Sequence, residues 1–125
     1  MKKILITLVL AFQFSFSFSQ DYTIDITAKS KNDYKISGKD LNGNIEGFDI
    51  DLNFDVGNKI IFNVNSPGHP FLIKLKPGTG KKNLVEGANN NGIAKGVIEW
   101  VPTETGTYYY QCLKHKGMVG KIIIS

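Results

Sequence analysis

The 125-residue chain is long enough for one domain of the common size, about 100–150 residues, and carries a formal net charge of +4. Its 15 basic residues are lysines scattered along the sequence, which argues against nucleic-acid binding, because such surfaces need a dense basic stripe and usually arginine. A single cysteine excludes an internal disulfide. Cys112 is therefore a free thiol, an intermolecular link or a metal ligand.

The N-terminus predicts an export signal. Two lysines precede the apolar stretch Ile4–Phe12, and small residues occupy the positions one and three residues before a cut at Gln20. The stretch is shorter than the roughly 20 apolar residues that span a bilayer, although a retained anchor is the alternative. We expect a signal peptide over residues 1–19, one domain over residues 20–125, no membrane span, and a periplasmic or extracellular location.

The remaining sequence predicts strands and no helix. Short segments rich in Ile, Val, Phe and Tyr alternate with clusters of Gly, Asn, Asp and Pro, a pattern typical of an all-β sandwich or barrel. In chain order, the predicted strands are Tyr22–Ala28, Asp33–Ser37, Glu46–Leu52, Lys59–Asn65, Phe71–Leu75, Gly96–Val101, Gly106–Cys112 and Val119–Ile124.

Alternation with a period of two predicts which side chains share a face of a strand. His69 is in phase with an apolar face, whose members are Phe71, Ile73 and Leu75, whereas Lys74 falls on the other side. Cys112 is in phase with Tyr108 and Tyr110, whereas Gln111 points away. We therefore expect His69 and Cys112 to face the same interior from strand ends, followed by His115 and Met118 in a tight loop.

These four side chains predict a metal site. One thiolate, two imidazoles and a thioether are the ligands of a trigonal copper site with a weak axial methionine. The spacing Cys-x2-His-x2-Met keeps Cys112, His115 and Met118 close together, and His69 is the one other histidine. Taken singly, each residue has a plainer interpretation: a core histidine, a buried thiol, a surface histidine and a methionine that packs in the core.

The C-terminal half resembles the small blue copper proteins, the cupredoxin family of the plastocyanin and amicyanin type. The resemblance covers Asp55 to Ser125 and rests on Tyr108-Tyr109-Tyr110-Gln111-Cys112, on the short Cys-x2-His-x2-Met loop, on the final Gly117-Met118-Val119-Gly120-Lys121, and on Gly68-His69-Pro70-Phe71 upstream. It implies a cupredoxin-like Greek-key β-sandwich of about eight strands. It also implies His69, Cys112, His115 and Met118 as copper ligands, with His115 at the solvent edge.

The function that we expect is that of a monomeric one-electron carrier holding one copper ion, which cycles between Cu(I) and Cu(II). Its partners would be redox proteins, acidic ones if Lys114 and Lys116 line the docking face. A copper-holding or copper-delivering protein of the same fold is the alternative. We do not expect an enzyme, because related copper enzymes need further histidines, or a second cysteine, for additional copper centres.

Overall fold

The computed structural model describes residues 20–125, so the predicted signal peptide lies outside the described part of the chain. That part contains nine strands and no helix, and hence no helix long and apolar enough to cross a bilayer. The strands are β1 (Asp21–Thr27), β2 (Lys35–Asp40), β3 (Gly43–Phe48), β4 (Leu52–Phe54), β5 (Lys59–Asn65), β6 (Phe71–Lys74), β7 (Lys95–Trp100), β8 (Gly106–Cys112) and β9 (Val119–Ile124).

The strands form two sheets that pack face to face as a β-sandwich. The first sheet has the order β3-β2-β1-β5-β7, and the second has the order β4-β9-β8-β6. Two pairs, β1 with β5 and β4 with β9, are parallel, while the other neighbours are antiparallel. The prediction of an all-β sandwich is confirmed, with nine strands in place of about eight.

Most predicted strands are present, and one is wrong. Three have the predicted bounds (β5, β8 and β9), and four others are displaced by one to three residues. The predicted strand Glu46–Leu52 instead divides between β3 and β4, which belong to different sheets. Asp49 causes the break: its φ is 47°, its N–H donates to the Tyr34 carbonyl, and its Oδ1 accepts from the Tyr34 N–H at 2.9 Å. These contacts turn the chain from one sheet to the other.

Aromatic side chains join the two sheets across the core. Phe62 of β5 contacts Phe71 of β6 with 5.4 Å between ring centroids, and Tyr22 of β1 meets Phe54 of β4 edge-on at 5.3 Å. Apolar burial of this kind is the main favourable term in folding. The inner faces of β5 and β9 follow the predicted alternation, with these residues buried: Ile60, Phe62, Val64, Ile122 and Ile124.

Strand β6 departs from the predicted alternation at its end. Phe71 and Ile73 are buried as predicted, but Lys74 is only 2% exposed and Leu75 is 52% exposed. Lys74, predicted on the side opposite the apolar face, is therefore buried rather than solvated, and the prediction that Leu75 extends the apolar face is wrong. The strand ends at Lys74, whose ammonium donates to the carbonyls of Gly78 and Gly80. The segment after β6 thus covers its outer face, and Leu75 lies beyond the regular pleat.

Two tyrosines with no exposure place their hydroxyls inside the protein. The Tyr110 hydroxyl donates to the Ile50 carbonyl at 2.6 Å, and the Tyr34 hydroxyl donates to the carbonyls of His69 and Pro70, each at 3.0 Å. Burial raises the pKa of both phenols above the ordinary value of 10.0, and the nearby Cys112 raises the pKa of Tyr34 further. Both phenols must therefore stay protonated in the folded protein.

We expect the free energy of unfolding to fall as the pH rises above about 10. The unfolded chain ionises these phenols there while the folded protein does not, so the unfolded state binds fewer protons and is favoured by up to about 1.4 kcal/mol per pH unit for each phenol. Urea unfolding between pH 8 and pH 11.5 measures the slope. Tyr110→Phe should make this slope shallower by up to about 1.4 kcal/mol per pH unit, the contribution of one phenol, and an unchanged slope would contradict the assignment.

Candidate metal centre

The pairing of β6 with β8 brings the distant histidine to the cysteine. Phe71 lies opposite Cys112 in this antiparallel ladder, at the last residue of β8. His69 precedes Phe71 by two residues, so it lies at the same end of the sandwich as the loop that follows Cys112. Residues that are 43 positions apart in the sequence therefore meet through strand register.

A tight turn presents His69. Its N–H donates to the Ser66 carbonyl at 2.8 Å, and Gly68 between them has φ 82°, which fits a type II turn with proline second and glycine third. The His69 carbonyl accepts from the buried Ser66 hydroxyl at 2.8 Å and from the Tyr34 hydroxyl at 3.0 Å. The backbone of His69 is therefore held by Ser66 of its own turn and by Tyr34 from a distant part of the sequence.

The loop after β8 is closed by its own backbone. The Cys112 N–H donates to the Met118 carbonyl at 2.9 Å, and the Met118 N–H donates to the His115 carbonyl at 3.1 Å. The Leu113 N–H reaches the Pro70 carbonyl at 3.2 Å. The last bond joins this ligand loop (residues 112–118) to the turn of His69.

Three of the predicted ligands form one cluster. The Cys112 Sγ lies 3.6 Å from Nδ1 of His115 and 3.8 Å from Nδ1 of His69, and the three donor atoms all lie within 4.8 Å of one another. A metal with bonds of about 2.0 Å to nitrogen and about 2.3 Å to sulfur, at trigonal angles, separates nitrogen from sulfur by roughly 3.7 Å. The observed distances fit one metal ion between these atoms.

The cluster lies just beneath the surface. Cys112 and Met118 have no exposure, whereas both histidines are partly exposed, with their ring centroids 5.0 Å apart. Burial, and then the neighbouring His115 and Lys114, lower the pKa of His69 below the ordinary 6.5. Its imidazole is therefore neutral at neutral pH, the form that binds a metal.

The three residues of the cluster are among those that the sequence predicts as ligands, whereas the residues that support them were not predicted. Met118 is fully buried, and its carbonyl accepts from the Cys112 N–H. Ser66, Tyr34 and Gln111 also hold the cluster. The sequence Ser66-Pro67-Gly68 is a recognisable turn signal. Nothing local to Tyr34 indicates that its hydroxyl reaches the turn of His69, and nothing local to Gln111 indicates that its amide faces the ligand loop.

Comparisons with known proteins establish the fold. No protein-family model and no curated protein matches the sequence. A structure of the copper protein rusticyanin aligns with a TM-score of 0.60 at 18% identity, covering 85% of this chain and 78% of that chain. Rusticyanin from Thiobacillus ferrooxidans aligns at 0.58 and 19%, with the same coverage. A mutant of amicyanin with Cu(I) aligns at 0.46 and 18%, covering 84% and 82%.

The two rusticyanin alignments cover 85% of this chain and show that its β-sandwich has the same fold as theirs. The donor atoms that the fold assembles are two imidazole nitrogens and one thiolate sulfur, the equatorial set of a blue copper centre. The chain thus has the cupredoxin β-sandwich fold, and its His69, Cys112 and His115 cluster fits a type 1 copper site.

Proposed function

We propose that this chain is an exported mononuclear copper protein that carries single electrons between redox partners. One observation supports it above the others: the Cys112 sulfur and the two Nδ1 atoms lie at distances suited to one metal, at the edge of an apolar core. Soft sulfur favours Cu(I), and imidazole suits both copper states. Met118 is proposed as the weak axial ligand.

Copper bound in this cluster would supply one-electron chemistry by cycling between Cu(I) and Cu(II). The chain's own residues do the rest. Cys112 and Met118 lie out of contact with water, and the turn of His69 and the ligand loop are held by hydrogen bonds that need no metal. Groups that are already in place need little movement when the charge at the site changes, which favours fast transfer.

Cys112→Ser should abolish the intense thiolate-to-copper absorption band that the wild type shows after addition of Cu(II), because a hydroxyl does not replace the thiolate. Met118→Gln, which keeps the thiolate and both imidazoles, should retain the band and shift the reduction potential. Visible spectra of the purified variants decide this. An unchanged spectrum in Cys112→Ser would refute the site, and copper that does not cycle reversibly in voltammetry would favour the copper-holding alternative.

The surface around His115 is proposed as the docking face. The imidazole is partly exposed, and it lies between Lys114 and Lys116, which are both exposed. Pro67 and Gly68, in the turn of His69, are exposed as well. Small or apolar residues beside a redox group suit the small interfaces of transient redox complexes. The two ammonium groups favour an acidic partner, whose approach they would accelerate at low salt.

Lys114→Glu combined with Lys116→Glu should slow electron transfer with an acidic redox partner by roughly tenfold or more at low ionic strength, and the effect should fade as salt is added. Lys39→Glu combined with Lys121→Glu is the matched control, since it makes the same change in net charge on exposed strand positions outside the ligand loop. Stopped-flow rates over a salt series give the comparison. Equal slowing by both double variants would remove the docking claim.

Export with cleavage before Gln20 remains part of the proposal and rests on the basic, apolar and small-residue order of the N-terminus. Mass spectrometry of the protein recovered outside the cytoplasm should show a chain that begins at Gln20 or a near neighbour. A chain that keeps residues 1–19 after export would instead support a retained anchor.

A further inference from the structure

Gln111 is a fully buried polar residue on the opposite side of β8 from the metal cluster's cysteine. Tyr110 and Cys112 have no exposure, and Gln111 between them has none either. Because successive side chains of a strand point to opposite faces, its carboxamide lies on the outer face of the second sheet. A buried amide without hydrogen-bond partners would destabilise the fold. The groups that the Gln111 amide bonds therefore show what the side chain holds in place.

The carboxamide nitrogen of Gln111 faces the carbonyl oxygens of the ligand loop. Nε2 lies 3.0 Å from the His115 oxygen, 3.2 Å from the oxygens of Cys112 and Met118, and 3.4 Å from the Lys116 oxygen. Its two N–H groups are therefore shared among four acceptors. Three of these carbonyls belong to proposed copper ligands.

The orientation of this amide is set by chemistry on both sides. Carbonyl oxygens only accept hydrogen bonds, so the side facing the loop must be the NH2 group. On the other side, the Gly78 N–H donates to Oε1 at 3.1 Å. Gln111 thus connects the ligand loop to the segment of residues 77–80, with a donor on one side and an acceptor on the other.

The segment of residues 77–80 is itself anchored. The buried Lys74 donates to the carbonyls of Gly78 and Gly80 through its ammonium group, and the Gly80 N–H donates to the Leu113 carbonyl at 3.0 Å. The ligand loop is therefore bound to this segment at two places, once through Gln111 and once through Leu113. Neither contact involves a metal-binding atom.

We propose that Gln111 is a positioning residue for the metal centre, whose amide holds residues 112–118 in one shape whether or not the metal is present. Its importance for electron transfer rests on the proposed function above, but the effect on the loop does not. The Met118 and His115 carbonyls each keep a backbone donor when the amide is removed, so the loss is that of ordinary hydrogen bonds and disfavours the closed loop by roughly 2- to 13-fold in its opening equilibrium. No other side chain makes these bonds within the described part of the chain.

The test replaces the donor by an isosteric acceptor. Gln111→Glu keeps an oxygen for the Gly78 N–H and places a second oxygen against the four carbonyls. Asn91→Asp is the matched control: Asn91 Nδ2 donates to the Ile73 carbonyl at 2.9 Å and its Oδ1 accepts from the Ile73 N–H at 2.7 Å, so the same exchange disturbs a backbone clamp outside the ligand loop.

Hydrogen exchange of the metal-free protein gives the first measurement. The amides of Cys112 and Met118, bonded to the Met118 and His115 carbonyls, should exchange at least about twofold faster in Gln111→Glu, relative to the amides of β1 and β5. Asn91→Asp should leave this ratio unchanged. An unchanged ratio in Gln111→Glu, or an equal rise in both variants, would overturn the proposal. If Gln111→Glu does not fold, the neutral Gln111→Met is judged by the same criterion.

The copper-loaded protein gives the second measurement. Gln111→Met, which adds no charge, should shift the thiolate-to-copper band, while Asn91→Asp should leave the band in place. A band that Gln111→Met leaves in place would overturn the role at the metal centre. If substitution of Gln111 alters the exchange of the loop amides but the wild type never forms a thiolate-to-copper band, the copper function is refuted and the positioning role of Gln111 in the loop stands.

Discussion

The antiparallel register of Phe71 against Cys112 is the constraint on which the site depends. A register slip of one residue would turn every side chain of β6 to the opposite face of the sheet, and it would take the turn of His69 away from the cysteine. The core protects this register, since the Phe71 ring stacks on that of Tyr110, with centroids 5.3 Å apart and an angle of 18° between planes. Core packing therefore determines where the donor atoms meet.

Both halves of the cluster are supported by polar groups that hold backbone and leave the donor atoms free. Ser66 and Tyr34 hold the carbonyl of His69, while Gln111 holds the carbonyls of the ligand loop. The imidazole Nδ1 atoms and the thiolate can then face a metal without rearrangement. This arrangement would suit the proposed electron-carrying centre, because groups that are already in place need little rearrangement when the charge of the site changes.

Local patterns predicted most of the strands and the pair Cys112 and His115 because short-range spacing determines both, whereas His69 was named because it is the one other histidine. Alternation marked β5 and β9, and the compact spacing after Cys112 marked the loop. Alternation describes one strand at a time and missed the burial of Lys74 and Gln111. Residues 77–80, which follow Lys74 directly and are distant in sequence from Gln111, cover both side chains on the outer face of the second sheet. The reach of Tyr34 to the turn of His69 is likewise a contact between residues distant in sequence.

X-ray absorption at the copper edge, recorded for both oxidation states of the loaded protein, tests the central claim most directly. A prebuilt site of His69, Cys112 and His115 predicts two nitrogen neighbours and one sulfur neighbour in the first coordination shell, with little change on reduction. A first shell of oxygen and nitrogen alone, without a short sulfur contact, would contradict it.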